Sequence, residues 1–383
     1  MELFNTFFIG GYECADHINR SGERVNLLKE TQHDIRVLED YQALIAIGIK
    51  TVREGVCWSA VETSPGVFDF SEVHNRMLAA EKLGIQQIWD LIHFGYPDGI
   101  YPTHPHFCKR FVQLCEAFAL FYKANTKEPL FVVPINEISF LSWHSGDVRG
   151  TVPFAVNSGW DIKYHLCKAA ILGIKMLKNV RPECRIIMVE PLVKIHVSDF
   201  QNEVHELNEN QFQAMDIIGG RMCPELGGAE DFLDILGFNY YWNCQWEVNG
   251  EPLVWPDKEQ KRMPFSELLQ MAYERYNKPV FISETGHFGT GRVDWLEEII
   301  EECVLAKDNG VDLRGICIYP VTDRPDWDNL SSYCQCGIWD LDQNANRIAH
   351  QEYVDAVIKA QTDLKEKQTV LNQFDFSLKY WQK

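Results

Sequence analysis

The chain has 383 residues, of which 46% are hydrophobic and 12% aromatic, with 11 tryptophans. This composition provides enough apolar surface for a large core and excludes a disordered chain. The formal net charge of −19 at pH 7, together with the scattering of lysine and arginine along the chain, argues against a nucleic-acid or anionic membrane partner.

Targeting signals and metal motifs are missing from the sequence. No apolar stretch approaches the roughly 20 residues of a membrane span, and no basic region followed by a cleavable apolar segment stands at the N-terminus. The twelve cysteines are dispersed without a C-x-x-C pair, and His104 and His106 lack companions at ligand spacing. We therefore predict a soluble, cytoplasmic protein whose cysteines are small buried side chains, with no metal and no cofactor.

Eight short runs rich in branched and aromatic residues predict β-strands. In chain order they cover residues 5–11, 50–55, 86–93, 130–137, 185–190, 234–241, 279–284 and 315–321. Segments of helical period follow them and cover residues 33–48, 71–84, 107–125, 161–180, 209–220, 264–277, 292–310 and 351–367.

Strict alternation of eight strands with eight helices predicts a single closed (β/α)8 TIM barrel, because parallel strands need crossover helices. An open doubly wound sheet is the alternative fold, but eight units are long for it and no G-x-G-x-x-G follows the first strand. We expect one barrel domain over residues 1–363 and a tail, residues 364–383, that packs back on the barrel.

Polar residues stand where the predicted strands end, which is where barrel enzymes build their active sites. These residues are Arg53, His93, Asn136, Glu137, Asn239, Tyr240, Tyr241, Glu284, Asp323, Asp326 and Trp327. Each of them has a structural interpretation, such as helix capping or ion pairing. Glu137 and Glu284, however, end strands four and seven on opposite sides of one barrel mouth. Two opposed carboxyl groups are what cleavage of a glycosidic bond requires.

Other barrel chemistries fit the strand ends less well. A Schiff-base aldolase needs a lysine there, and none of the eight runs ends with one. A metal-dependent hydrolase would favour an H-x-H pair on the first strand, which reads FFIGGYE. A phosphate site stays open as a weaker alternative, because Gly286, Gly289 and Gly291 follow strand seven.

Six segments in order resemble the motifs of one enzyme family. They read REGVCWSAVETSPG, HFGYP, PINEI, GFNYY, FISETG and, last, VTDRPDWDN followed by CGIWDLD. They are similar to R-F-S-x-x-W-x-R-x-x-P-x-G, H-W-x-x-P, T-x-N-E-P, G-x-N-Y-Y, I/V-T-E-N-G and L-x-D-N-F-E-W of glycoside hydrolase family 1. This is the family of retaining β-glucosidases and β-galactosidases, and the likeness spans most of the chain.

The resemblance implies a role for each matching position. Glu137 would be the general acid/base and Glu284 the nucleophile. Asn136 would hold the 2-hydroxyl of the sugar, and Arg53 and Tyr241 would lie beside Glu284. The other substrate-binding positions that it implies are His17, His93, Asn239, Asp326 and Trp327.

The flanking positions depart from the family motifs. The replacements are Pro134 for Thr, Ile138 for Pro, Thr285-Gly286 for Asn-Gly, His17 with adjacent Asp16 for Gln, Asp326 for Glu, and Tyr319-Pro320 for Trp. They indicate a divergent relative whose sugar preference the motifs do not give. A 6-phospho-sugar is disfavoured because Asp326 and Asp328 would repel a phosphate, but it is not excluded, because Arg324 in the same segment would attract one.

We therefore expect a retaining β-glycosidase that acts on a small β-glycoside or oligosaccharide without metal or cofactor. A transglycosylase that uses the same site is one alternative. A carbohydrate-binding barrel whose catalysis has lapsed is the other, because a fold alone does not fix function. A small carbohydrate is the expected partner, nucleic acid and membrane are not, and homo-oligomerisation stays open.

Overall fold

The computed structural model describes residues 2–197, 201–256 and 262–364, and eight parallel strands in it close into a barrel. We label these strands β1–β8 in chain order: Phe8–Gly11, Thr51–Gly55, Gln86–Ile92, Phe131–Ile135, Arg185–Pro191, Ile235–Asn239, Val280–Thr285 and Leu313–Ile318. Each strand pairs with the next along the chain, and β8 closes on β1 with Cys317 opposite Ile9. The predicted TIM barrel is thus confirmed, and the doubly wound alternative is wrong.

Helices cover the outside of the barrel. We label the longer helices α1–α10: His33–Ala46, Ser71–Leu83, Phe107–Asn125, Ile138–Gly146, Gly159–Val180, Gln201–Glu209, Gln213–Ile218, Phe265–Tyr276, Arg292–Asp308 and 351–364. Short helical turns lie in the loops: α-helical turns Leu27–Glu30 and Trp58–Val61, and 3-10 turns Asn210–Phe212, Pro224–Leu226, Glu230–Phe232 and Gly289–Gly291. Two antiparallel strand pairs lie there as well, Glu62–Ser64 with Val67–Phe68 and Trp339–Leu341 with Arg347–Ala349. A third pair, Lys194–His196 with Gln245–Glu247, is parallel.

The apolar residues of each strand divide between two layers. In β5, Ile187 and Val189 lie in the cluster inside the barrel, whereas Ile186 and Met188 pack outward against the helices. Both faces of a strand are buried in this architecture, which explains why the strands are nearly continuous apolar runs in the sequence. The carboxyl ends of all eight strands open on one face, and that face positions the polar residues described next.

Close packing against Tyr319 explains two of the glycines beside the mouth. A Cβ atom on Gly11 would lie 2.1 Å from Cδ2 of Tyr319, and one on Gly286 would lie 2.7 Å from the carbonyl oxygen of the same residue. Gly286 therefore serves the junction between β7 and β8, which accounts for it without a phosphate ligand.

Cysteine usage agrees with the sequence analysis. All twelve cysteines are free thiols and most of them are buried.

Over the described ranges, no helix is long and apolar enough to cross a membrane. The predicted C-terminal tail lies outside the described residues, except for residue 364.

Candidate active site

Glu284, near the end of β7, is held by two hydrogen-bond donors. Arg53 at the mouth end of β2 donates from Nη1 to Oε1 over 2.7 Å, and the Tyr241 hydroxyl, just after β6, donates to Oε2 over 2.8 Å. The Glu284 side chain is only 6% exposed. A buried carboxylate with a cation on one oxygen and a phenol on the other is stabilised as an acceptor, so its free lone pairs are available to an electrophile.

Arg53 connects four strands, because each of its five N–H groups donates to a different acceptor. Nε and Nη2 bind the two carboxylate oxygens of Asp90 over 3.0 and 2.6 Å. Nη1 also reaches the backbone oxygen of Ser283, and Nη2 reaches Oδ1 of Asn136 over 2.7 Å. A fully satisfied guanidinium of this kind fixes the positions of β2, β3, β4 and β7 relative to one another.

Glu137 follows β4 at a sharp change of backbone direction. Its φ of 46° and ψ of 59° lie in the left-handed region, and α4 begins at the next residue. Such a conformation costs a non-glycine residue on the order of 1–2 kcal/mol. The cost is offset by backbone hydrogen bonds from Glu137 N–H to the oxygen of Val189 and from Leu141 N–H to the oxygen of Glu137. The side chain consequently leaves the strand at a fixed angle.

The environment of Glu137 favours its protonated form. Burial raises its pKa well above the usual range, the negative charge of Glu284 adds to the rise, and the amide of Asn239 opposes it. Glu137 therefore has the protonation state that a general acid requires near neutral pH. The two carboxyl groups interact electrostatically and occupy contrasting environments, because Glu284 accepts hydrogen bonds from a guanidinium and a phenol, whereas burial dominates at Glu137.

Two amides lie between the glutamates. Ser283 donates to Oδ1 of Asn239 over 2.6 Å, and Nδ2 of Asn239 approaches Oδ1 of Asn136 at 3.5 Å. Nδ2 of Asn136 is buried and has no hydrogen-bond partner within the described part of the chain. An orphaned donor at this point suits a ligand hydroxyl, since a buried N–H without an acceptor is costly.

His93, just after β3, continues the polar network. Its Nδ1 lies 2.8 Å from Oδ2 of Asp90. Its Nε2 lies 3.2 Å from the Tyr319 hydroxyl and 3.5 Å from Oε1 of Glu13. Burial lowers the pKa of His93, but the bond to Asp90 and the charges of Glu284 and Glu13 outweigh burial and leave the pKa above its usual value. His93 can thus carry positive charge in the mouth.

His17 and Trp327 line the side of the mouth near β1 and β8. Their rings meet edge to face with centroids 4.7 Å apart. Burial lowers the pKa of His17 to about 3, so its imidazole is neutral at physiological pH. Nδ1 of His17 and Nε1 of Trp327 are buried without hydrogen-bond partners among the described residues. An aromatic face with two unpaired ring nitrogens can both stack on and bond to a sugar.

Asp326 does not join this group. Its side chain is exposed, and its Oδ1 accepts the backbone N–H groups of Asp328 and Asn329 over 2.9 and 3.1 Å. A carboxylate used to close its own turn is not directed at the mouth. The structure therefore brings together the other site residues that the resemblance implies and leaves Asp326 at the surface. Of the remaining strand-end residues, Tyr240 stacks on Phe265 of α8 and Asp323 accepts the backbone N–H of Cys336.

The sequence analysis missed several residues that complete the site. Asp90 and Ser283 contact the predicted residues directly, and Oε1 of Glu13 lies 3.5 Å from Nε2 of His93. Tyr319, named in the sequence only as a replacement for the family's Trp, contacts His93. A signal for Glu13 existed, since it follows the first strand at the carboxyl end. Its partners His93 and Arg324 lie far from it along the chain, so the sequence did not indicate these contacts.

One cluster has the composition of a metal site. Cys14, Asp90 and His93 present ligand atoms within 4.8 Å of one another. The Asp90 carboxylate is already neutralised by Arg53, and burial raises the pKa of the Cys14 thiol well above its usual value. A cation would have to displace Arg53 and deprotonate a buried thiol, so these residues do not fit a metal ion.

Solved structures with this architecture include β-glucosidases from Thermotoga maritima. The complex with azafagomine gives a TM-score of 0.75 at 16% sequence identity and covers 94% of this chain and 99% of that chain. The family 1 β-glucosidase gives 0.74 at 16% over the same shares, and the castanospermine complex gives 0.74 at 15%. The fold is thus that of the family 1 β-glucosidases, as the motifs predicted. No protein-family model and no curated protein matches the sequence.

Proposed function

We propose that the protein is a retaining β-glycosidase that hydrolyses the terminal bond of a small β-glycoside or oligosaccharide. The observation that carries this proposal is the contrast between the two carboxyl groups. Glu284 is an acceptor held by Arg53 and Tyr241, whereas burial and the charge of Glu284 favour the protonated form of Glu137. A nucleophile and a general acid need these two environments.

The first step transfers the sugar to the enzyme. A Glu284 oxygen attacks the anomeric carbon, the glycosidic bond breaks, and the proton of Glu137 passes to the leaving oxygen. A glycosyl ester of Glu284 and a Glu137 carboxylate result. The unpaired Nδ2 of Asn136 is available to the 2-hydroxyl, where hydrogen bonding strengthens in the transition state.

The second step reverses these roles. The Glu137 carboxylate takes a proton from water, the resulting oxygen nucleophile attacks the anomeric carbon, and Glu284 leaves as the free carboxylate. Two displacements at one carbon retain the configuration. Glu137 ends the cycle protonated.

The test is hydrolysis of aryl β-glycosides that carry gluco, galacto, fuco, manno, xylo and 6-phospho-gluco groups. We expect at least one to be cleaved, and Glu284→Gln to abolish the cleavage. Glu137→Gln should lower kcat/KM for a phenyl glycoside by roughly 10²- to 10⁴-fold, with a smaller loss for a dinitrophenyl glycoside that needs no protonation. Glu251→Gln, at an exposed position, is the control and should match the parent protein.

Product stereochemistry tests the retaining mechanism. NMR of a fresh reaction should show the β-anomer first, and Glu137→Ala with added azide should form a β-glycosyl azide from the covalent intermediate. An α-anomer as first product would overturn retention. Glycosides formed with an added acceptor alcohol would indicate a transglycosylase. Sugar binding without turnover, unchanged by Glu284→Gln, would indicate a lapsed site.

A further inference from the structure

A third buried carboxyl group lies next to the candidate acid/base, and the mechanism above does not use it. Glu190, near the end of β5, is 1% exposed. It follows the outward-facing Ile186 and Met188 in the alternation of the strand, so it faces the helical layer and not the mouth. A carboxyl group between a sheet and its helices is costly unless it has partners.

The main partner of Glu190 is the first turn of α4. The backbone N–H of Ser139 lies 3.2 Å from Oε1 and 3.1 Å from Oε2 of Glu190. α4 begins directly after Glu137, and the Glu137 side chain makes no capping hydrogen bond to its own helix. Glu190 thus supplies, from the neighbouring strand, the acceptor and the negative charge that a helix N-terminus favours.

We propose that Glu190 is a positioning residue for Glu137: by holding the first turn of α4, it fixes the left-handed backbone from which Glu137 enters the barrel mouth. This inference deepens the proposed function and rests on it for the role of Glu137. Ser139 is two residues from Glu137, so the Glu190 contact restrains the backbone on the side of Glu137 opposite to β4.

The charge of Glu190 acts on the same residue. Burial raises the pKa of Glu190 to about 7, while the Ser139 hydrogen bond and the charge of Lys163 in α5 oppose the rise. When Glu190 is ionised, its charge adds to the effects of burial and of Glu284 that raise the pKa of Glu137. Glu190 therefore favours the acid form that the first step requires.

The other groups around Glu190 are few within the described residues. α5 contributes Lys163 and Cys167. Burial raises the pKa of the Cys167 thiol, and the charge of Glu190 raises it further. α7 also packs near β5, but its Asp216 binds Arg275 over 2.5 Å. β6 pairs Phe238 with Glu190 and carries no titratable side chain over Ile235–Asn239. Among these groups, Lys163 is thus the charge that acts on Glu190, and the charge of Glu190 in turn acts on Glu137.

The first experiment measures the titration of Glu137 directly and needs no substrate. Protein labelled with ¹³C at glutamate carboxyl groups is titrated by NMR, and Glu137→Gln assigns the resonance. We expect Glu190→Gln, which keeps an acceptor for Ser139 but removes the charge, to lower the Glu137 midpoint by roughly half a unit to one unit. Glu183→Gln, at the other end of β5 and 58% exposed in its side chain, is the control and should leave the midpoint unchanged.

The second experiment uses kinetics on whichever glycoside the parent protein cleaves. The alkaline limb of its kcat/KM profile should move to lower pH in Glu190→Gln. Glu190→Met, which removes the acceptor, should lower kcat/KM more for the phenyl than for the dinitrophenyl glycoside. An unmoved Glu137 midpoint together with equal losses on both glycosides would overturn the positioning role. A parent protein that cleaves nothing overturns the proposed function instead, and the NMR titration still decides the role of Glu190.

Discussion

Arg53 is the single residue whose loss should affect both fold and activity most. Lysine keeps the charge but has one donor centre, so it cannot reach Asp90, Glu284 and Asn136 together. We expect Arg53→Lys to lower the free energy of unfolding by roughly 3 kcal/mol, because a single ammonium leaves at least one of the two buried carboxylates without a directly paired cation. Loss of the donor to Glu284 should lower kcat/KM by at least ~100-fold.

The matched control is Arg185→Lys at the start of β5. Arg185 also binds a carboxylate with two nitrogens, that of Asp234, but the two side chains are 36% and 26% exposed. Its replacement should cost less than ~1 kcal/mol. Urea unfolding and aryl-glycoside kinetics measure both variants, and equal behaviour of Arg53→Lys and Arg185→Lys would contradict a central role for Arg53.

Sequence reasoning at this scale finds the residues that end apolar strands but not their partners. Glu137 and Glu284 were recognisable because a carboxyl group at the end of a buried run is unusual. Glu190 ends such a run as well, yet nothing in the sequence distinguished a carboxyl group that faces the helices from one that faces the mouth. Asp326 was placed by motif alone, and its turn is a property of local backbone geometry.

Among the longer helices, α4 and α6 are the ones that the sequence analysis did not predict. Apolar residues of ISFLSWHSG are spread around the whole helix, so α4 lacks the helical period that identified the others, and it follows a strand directly. Strands were recognisable because both of their faces are buried. Boundaries of the amphipathic helices were also recognisable, because one face of each is exposed: α3 was predicted at its observed bounds, Phe107–Asn125.

The contact between α4 and α5 offers a test of how the scaffold supports Glu137. A Cβ atom on Gly146, at the end of α4, would lie 2.8 Å from both Cα and N of Gly159 in α5. Backbone atoms cannot rotate away, so we expect Gly146→Ala to destabilise the protein by roughly 1–3 kcal/mol. Displacement of α4 should also reduce cleavage of a phenyl glycoside more than that of a dinitrophenyl glycoside.

Thermal unfolding and paired kinetics measure this effect. Lys168→Ala is the control, because it places the same side chain at an exposed position of α5 and should change stability by less than ~0.5 kcal/mol. An unfolding midpoint for Gly146→Ala equal to that of the control would show that the two helices separate without cost.

For the whole molecule, buried ionisable groups of two kinds set the dependence of stability on pH. Burial opposes ionisation of Asp40, Glu54 and Asp90, but bonds and charges from His33 or Arg53 outweigh it and lower the pKa of all three carboxyl groups. A carboxyl group with a lowered pKa stabilises the fold above its pKa in the unfolded chain, about 4. This stabilisation is lost as pH falls through the pKa in the folded protein. These three carboxyl groups therefore make the fold more stable at neutral than at acid pH.

The second kind acts in the opposite direction. Burial raises the pKa of Glu190 to about 7 and that of Glu137 well above its usual range. Burial alone would lower the pKa of His33 and of His93, but neighbouring carboxylates raise both above their usual value. Groups with a raised pKa stabilise the fold fully below the unfolded value, about 4 for the carboxyls and 6.5 for the imidazoles, and the stabilisation is lost as pH rises through the folded value.

These opposing contributions predict a maximum of stability at about pH 5 to 6, followed by a decline toward pH 8. Repulsion within a chain of formal net charge −19 adds to the decline as the remaining acids ionise. Calorimetric unfolding between pH 4 and 9 measures the free energy of unfolding across this range.

Glu190 should account for part of this decline, because its pKa in the folded protein is about 7. Between pH 4 and pH 8 the free energy of unfolding should fall by on the order of 3 kcal/mol less in Glu190→Gln than in the parent protein, whereas Glu183→Gln should follow the parent protein. Stability that rises steadily from pH 5 to pH 8 in the parent protein would mean that Glu190 and Glu137 ionise in the folded protein as readily as exposed glutamates.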